Sequence, residues 1–169
     1  MTTPIRSVGP EPTPEMLCIG SLLWAAPDDV RPVLPLMGAD DLDDPHLHPI
    51  LDAIRRLVAA GRPHDGVAVG DELQRCGALA GEAGRLTARR LADAITSGAG
   101  GNTLAVRSYA TAVVADAYRR RYETAGKALT EAATDLAEAD LLPLLRGIGT
   151  DAVRHADRLA ALRGGVVPA

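Results

Sequence analysis

The chain has 169 residues, of which 47% are hydrophobic, yet it contains one Trp, three Tyr and no Phe. Its core must be built from Leu, Val, Ile and Ala, which suits closely packed helices better than sheets. A formal net charge of -4 lacks the broad basic footprint of a sequence-independent DNA binder. No apolar run approaches the ~20 residues that span a bilayer, and the opening MTTPIRSVGPEPTPE lacks the apolar centre of a signal peptide. The expectation is an all-α protein in the cytoplasm.

Residues 1–12 hold three prolines and little that is apolar, and read as a tail. Thr13, Pro14 and Glu15 form a helix start: a cap, a proline at the first helical position and an acid in the first turn. The helix continues through MLCIGSLLW to Trp24 and is apolar on nearly every side, as a central helix would be. Pro27, Pro32 and Pro35 then leave room for one or two short turns. Asp44 and Pro45 open a second clear helix, with Ile50, Ile54, Leu57 and Val58 on one face and Gly61 as its stop. A shorter helix, VAVGDELQRCG, ends at Gly77 by the same device. Glu82 to Ser97 forms another, carrying Leu86, Leu91 and Ile95, and SGAGGN (97–102) is a loop.

From Thr103 no proline occurs until Pro143, so helix can run for about 36 residues, or ~54 Å. Ala110, Val114, Tyr118, Tyr122, Ala125, Leu129, Ala132 and Leu136 make one stripe. Val106, Tyr109, Val113 and Ala117 add a row beside its first half. A break at ATDLAEADLLP leads to a last helix weakened by Gly147 and Gly149. The expected architecture is a small helical head (13–102) followed by a long antiparallel helical hairpin (103–163), with tails at 1–12 and 164–169. A small head cannot cover both sides of so long a stripe, and the remainder exceeds the apolar patch a soluble monomer usually exposes. The chain is therefore expected to be at least a dimer. Its seam would be formed by Tyr109, Val113, Tyr118, Tyr122, Leu129 and Leu136, with Arg119, Arg120 and Arg121 at the rim.

Consecutive residues of a helix point 100° apart, so these three arginines cannot form one patch. Asp116, Glu123 and Lys127 stand four residues from Arg120, Arg119 and Glu123 respectively, and ordinary i,i+4 pairing on a solvated face is expected. The run of Asp40, Asp41, Asp43 and Asp44 beside His46 and His48 has the composition of a metal site. The histidines, however, are two apart at a helix start, without HExxH or calcium-loop spacing. Capping by Asp43 or Asp44 accounts for the acids. His64 and His155 read as surface or turn residues, and Cys18 and Cys76 as buried free thiols. SGAGGN lacks the GxxxxGK[ST] pattern that cradles phosphate. No catalytic residue, cofactor or metal site is expected.

The order of PEMLCIGSLLW, then DPHLHPILDAIRRLVAAGRPHDGVAVGDELQRCGAL, then NTLAVRSYATAVVADAYRRR resembles the N-terminal domain of bacterial replicative DnaB-type helicases. The resemblance runs from about Pro14 to Arg163. It implies a helical head and hairpin, pairing of hairpins into dimers, assembly of three dimers into a collar, and binding of primase by that collar. ATP hydrolysis belongs in that family to a separate motor domain, which this sequence does not contain. The implied role is non-catalytic: self-association and docking of the replicative helicase or primase, with no direct binding of nucleic acid. Two alternatives are a stand-alone regulator or loader of the helicase, and a helical nucleic-acid-binding protein using Arg119–Arg121 with Arg146, Arg154, Arg158 and Arg163.

Overall fold

In the computed structural model, which describes residues 11–97, 99 and 105–164, seven α-helices and three single 3-10 turns account for the regular structure. No strand occurs among the described residues. Helix α1 (Pro14–Trp24) begins as its sequence dictates, with the Thr13 hydroxyl accepting the Met16 N–H at 3.2 Å. Seven of the eleven residues of α1 are buried, including Cys18, Ile19, Leu22 and Leu23, so it is the central strut of the head. Gly20 lets α1 approach the end of the fifth helix, since a Cβ there would collide with Ser97 and the Ala94 carbonyl. The proline-rich stretch forms α2 (Pro27–Val30) and 3-10 turns at Leu34–Leu36 and Ala39–Asp41.

Asp44 caps a further turn, Pro45–Leu47, by accepting the His46 N–H at 2.9 Å. That turn runs into α3 (His48–Ala59), which buries Ile50, Leu51, Ile54, Leu57 and Val58. Gly61 and Gly77 follow α3 and α4 (Gly66–Arg75) with φ of 64° and 75°, left-handed conformations that stop a helix without steric cost. Helix α5 (Gly81–Thr96) closes the head. The expected tails, apart from Glu11, Pro12 and Gly164, and most of the SGAGGN loop lie outside the described residues.

Helices α6 (Ala105–Asp135, 31 residues) and α7 (Glu138–Leu162, 25 residues) pack together as the hairpin, joined by Leu136 and Ala137 alone. Here the structure differs from expectation. Helix α7 starts five residues before Pro143 and passes through it. The proline falls in the second turn, where its missing N–H forfeits one bond, to the Ala139 carbonyl. Val106, Ala110, Val113 and Val114 of α6 and Leu159 and Leu162 of α7 join Ile19, Leu22, Ile50 and Ile54 in one continuous core. Each such valine, leucine or isoleucine side chain withdraws from water at a gain of about 1.5–3 kcal/mol. The hairpin base is thereby fixed to the head, with α1 lying along α6.

Three smaller expectations are corrected. Cys18 is buried, and burial followed by the nearby Glu15 and Asp41 carboxylates pushes its thiol up to about 12. Cys76, by contrast, is exposed, because it follows α4 on the solvent side of that helix's last turn. His64 and His155 are buried, at 5% and 3% exposure. His155 falls on the α7 face that meets α6 and the head, and His64 turns inward between α3 and α4.

Candidate interaction surface

The candidate surface is the hairpin beyond the head. Its inner end is defined by Asp41, whose side chain is fully buried. The 3-10 turn Ala39–Asp41 presents this carboxylate to both hairpin helices at once. Arg121 of α6 donates to it at 2.8 Å and Arg158 of α7 at 2.6 Å, while its own turn contributes the Gly38 N–H. Arg121 also reaches Asp40 at 2.6 Å, and Arg120 donates to the Asp41 carbonyl at 2.8 Å. Burial pushes the Asp40 carboxyl up, but the Arg121 guanidinium outweighs this and holds it below its ordinary value. Buried carboxylates survive only with such pairing.

The acidic run is thus a set of separate anchors. Asp40 and Asp41 bind arginines of the hairpin, Asp43 lies 3.8 Å from Arg120, and Asp44 caps its turn and pairs with Arg90 of α5. His48 donates to the Leu42 carbonyl at 3.0 Å. Of the three expected helix-surface pairs, Lys127 with Glu123 forms at 2.7 Å. Arg120 turns instead to the Asp41 carbonyl and lies 3.9 Å from Glu15. A guanidinium gains more from fixed carboxylate and carbonyl acceptors than from a mobile surface acid.

The expected seam residues divide into two groups. Val113 is buried in the core and Tyr109 packs against it, so both face the head. Tyr118 packs against the edge of the same core, and Tyr122, Leu129 and Leu136 lie farther out. Tyr118 and Tyr122 stack edge-to-face with centroids 4.9 Å apart, their hydroxyls 2.9 Å from each other. Tyr122 is 55% and Leu136 45% exposed. Of the rim, Arg119 is exposed, whereas Arg120 and Arg121 are partly covered by their contacts with the head.

Sequence reasoning missed the exposed apolar residues of the second hairpin helix. Leu142, Leu145 and Val153 of α7 are exposed at 52%, 52% and 61%. With Gly149 they recur at three, four and four residues along one face, a helical signal that Pro143 interrupts in the sequence. A groove of about 380 Å³ opens between the helices where they leave the head, lined by Tyr118, Tyr122, Ala125, Leu144, Ile148 and His155, among others. Within it His155 Nδ1 has no hydrogen-bond partner in the protein. Burial, then the charges of Arg121, Arg158 and Arg154, lowers the imidazole's proton affinity, so it is neutral at pH 7.

A helical head followed by an antiparallel hairpin has a counterpart among solved structures. The N-terminal domain of the DnaB helicase from Mycobacterium tuberculosis superposes with a TM-score of 0.70 at 26% identity. The match covers 85% of this chain and 99% of that one. The fold is that of a DnaB N-terminal domain. No protein-family model matches the sequence, and no curated protein is significantly similar to it. Because the DnaB domain is matched over almost its whole length, the likeness includes both head and hairpin. No described helix is long and apolar enough to cross a membrane.

Proposed function

We propose that the chain is a non-catalytic, DnaB N-terminal-like module of DNA replication that pairs with a second copy through its hairpin and docks a replisome protein such as primase. The carrying observation is the apolar surface on the outer hairpin, Tyr122 and Leu136 on α6 with Leu142, Leu145 and Val153 on α7, set on a fold like that of the DnaB domain. The head buries the hairpin base and leaves this outer part uncovered. Two hairpins laid together would cover it as a four-helix packing, with Ala125, Ala128, Ala133 and Gly149 permitting close approach. The arginine-rich segment supports this arrangement indirectly: Arg121 and Arg158, held on Asp41, fix the register of α6 and α7 and hence the shape of the paired face.

The sequence lacks a phosphate-cradling loop, and ATP chemistry is not part of the proposed role. The chain is expected not to retain an ATP analogue at micromolar concentration, and saturable binding in equilibrium dialysis would contradict this. Docking is tested by affinity capture from the native cytoplasm. Wild-type chain should bring down the replicative helicase or primase. Recovery of neither, under conditions where the bait is folded and paired, would remove the replisome assignment.

A further inference from the structure

On the head, away from the hairpin groove, the chain's one tryptophan stands half in solvent. Trp24, the last residue of α1, is 54% exposed, yet its indole N–H is held by the Ile95 carbonyl of α5 at 3.2 Å. The ring is therefore oriented before any partner arrives, and fixing it costs little further entropy on binding. The Ile95 side chain lies against Gly66, where any Cβ would strike it. Gly66 in turn places Val67, 85% exposed, on the same corner at the start of α4. The corner is thus an apolar step of Trp24, Ile95 and Val67.

Acidic residues flank it along the chain. Asp65 precedes Gly66 and caps α4 through the Val67 and Ala68 N–H groups, and Asp28 and Asp29 lie in α2, which begins three residues after Trp24. Arg31 pairs with Asp28 at 3.1 Å and Arg62 with Glu72 at 3.6 Å; among the described residues Asp29 and Asp65 have no ion pair and remain open to a cation. An anchored aromatic beside an exposed aliphatic is the composition of a binding hot spot, and the acidic rim selects the sign of what binds there. A nucleic-acid strand could stack on the indole, but its phosphates would meet these carboxylates.

Resting on the reading of the chain as a docking module, we propose that this corner is its docking site for a basic, amphipathic segment of a partner protein. The segment's apolar residues lie on Trp24 and Val67, and its Lys or Arg side chains meet Asp28, Asp29 and Asp65.

The test is selection of a displayed random-peptide library on the immobilised full chain, followed by measurement of the enriched peptides against variants. Trp24 fluorescence reports binding directly, because no other tryptophan is present. Enriched peptides should be net positive with apolar residues at helical spacing, and should shift the Trp24 emission to the blue. They should bind the Trp24→Ser chain at least about tenfold more weakly, as removal of a hot-spot aromatic does, and the D28N/D29N chain several-fold more weakly. Circular dichroism establishes that both variants remain folded. Enrichment of acidic peptides, equal binding to the Trp24→Ser chain, or failure to enrich any sequence would overturn the proposal. So would quenching of Trp24 by oligothymidine at about 150 mM salt, which would make the corner a nucleic-acid contact. Because these substitutions lie outside the hairpin, self-association should be unchanged. Loss of the docking site would therefore leave the hairpin reading standing, and a monomeric wild type would leave the docking result standing.

Discussion

The two halves of α6 share one sequence character and have different fates. From Ala105 to Ala117 its apolar residues Val106, Ala110, Val113, Val114 and Ala117 are all buried, because α1 and the head's core lie against them. From Tyr118 to Asp135 Ala132 alone is buried. The partner helix behaves in parallel, burying His155, Leu159 and Leu162 near the head while exposing Leu142, Leu145 and Val153 farther out. A helix of ordinary propensity does not need outward-facing leucines for its own stability. The base of the hairpin is therefore held by the chain's own head, whereas the outer part stays uncovered and is the face proposed for pairing.

Substitutions in the two regions should separate these roles. The largest effect belongs to their boundary. Asp41→Ala leaves Arg121 and Arg158 without their shared buried acceptor and is expected to cost about 3–5 kcal/mol in denaturant unfolding. A midpoint unchanged from wild type would mean that the clamp does not hold head to hairpin. Next comes a matched pair of leucines. Leu159→Ala at the base should cost about 2–5 kcal/mol, the range for a buried leucine, whereas Leu145→Ala outside should change monomer stability by no more than about 0.5 kcal/mol. Equal losses, measured on dilute protein, would erase the distinction between the regions.

The smallest expected effect is a pH dependence at their junction. Burial and neighbouring arginines lower the folded-state proton affinity of His155. Between its folded value and the unfolded value near 6.5, the unfolded chain binds more protons, so stability falls as pH drops through that window. The midpoint of unfolding should decrease from pH 7 to pH 5, and His155→Leu should flatten the slope over that range. Further acidification titrates Asp40, whose carboxyl is held low, and its contribution is lost as pH falls below about 3.8, the usual carboxylate value. A slope unaffected by His155→Leu would assign the dependence to other groups.

Much of this organisation was legible in the sequence because it rests on local chemistry. The Thr13–Pro14–Glu15 start, the Asp44 cap and the glycines after α3 and α4 act within a few residues, and all appear in the structure as their side chains require. The head-and-hairpin arrangement followed from the spacing of apolar residues. What could not be read was which long-range partner each charge would find. Asp41 lies 80 residues from Arg121 and 117 from Arg158, and nothing in the acidic run marks it as the member that becomes buried. The same limit explains Arg120, whose sequence neighbours suggested a surface pair. Helix α7 was only partly legible because Pro143 carries opposite meanings at the second turn and in mid-helix, and the stripe through Leu142, Leu145 and Val153 was divided there.

The outer hairpin's role is decided by the oligomeric state, measured by light scattering on the wild-type chain and on Tyr122→Asp at tens of micromolar, roughly the range in which a weak contact is populated. Wild type should scatter as at least twice the 17.6 kDa chain. Tyr122→Asp should scatter as one chain with its helical circular dichroism intact, since it places a carboxylate in the paired face without touching the head's core. A wild-type mass of 17.6 kDa at that concentration, or a variant that pairs as strongly as wild type, would contradict the assignment of the outer hairpin as an assembly surface.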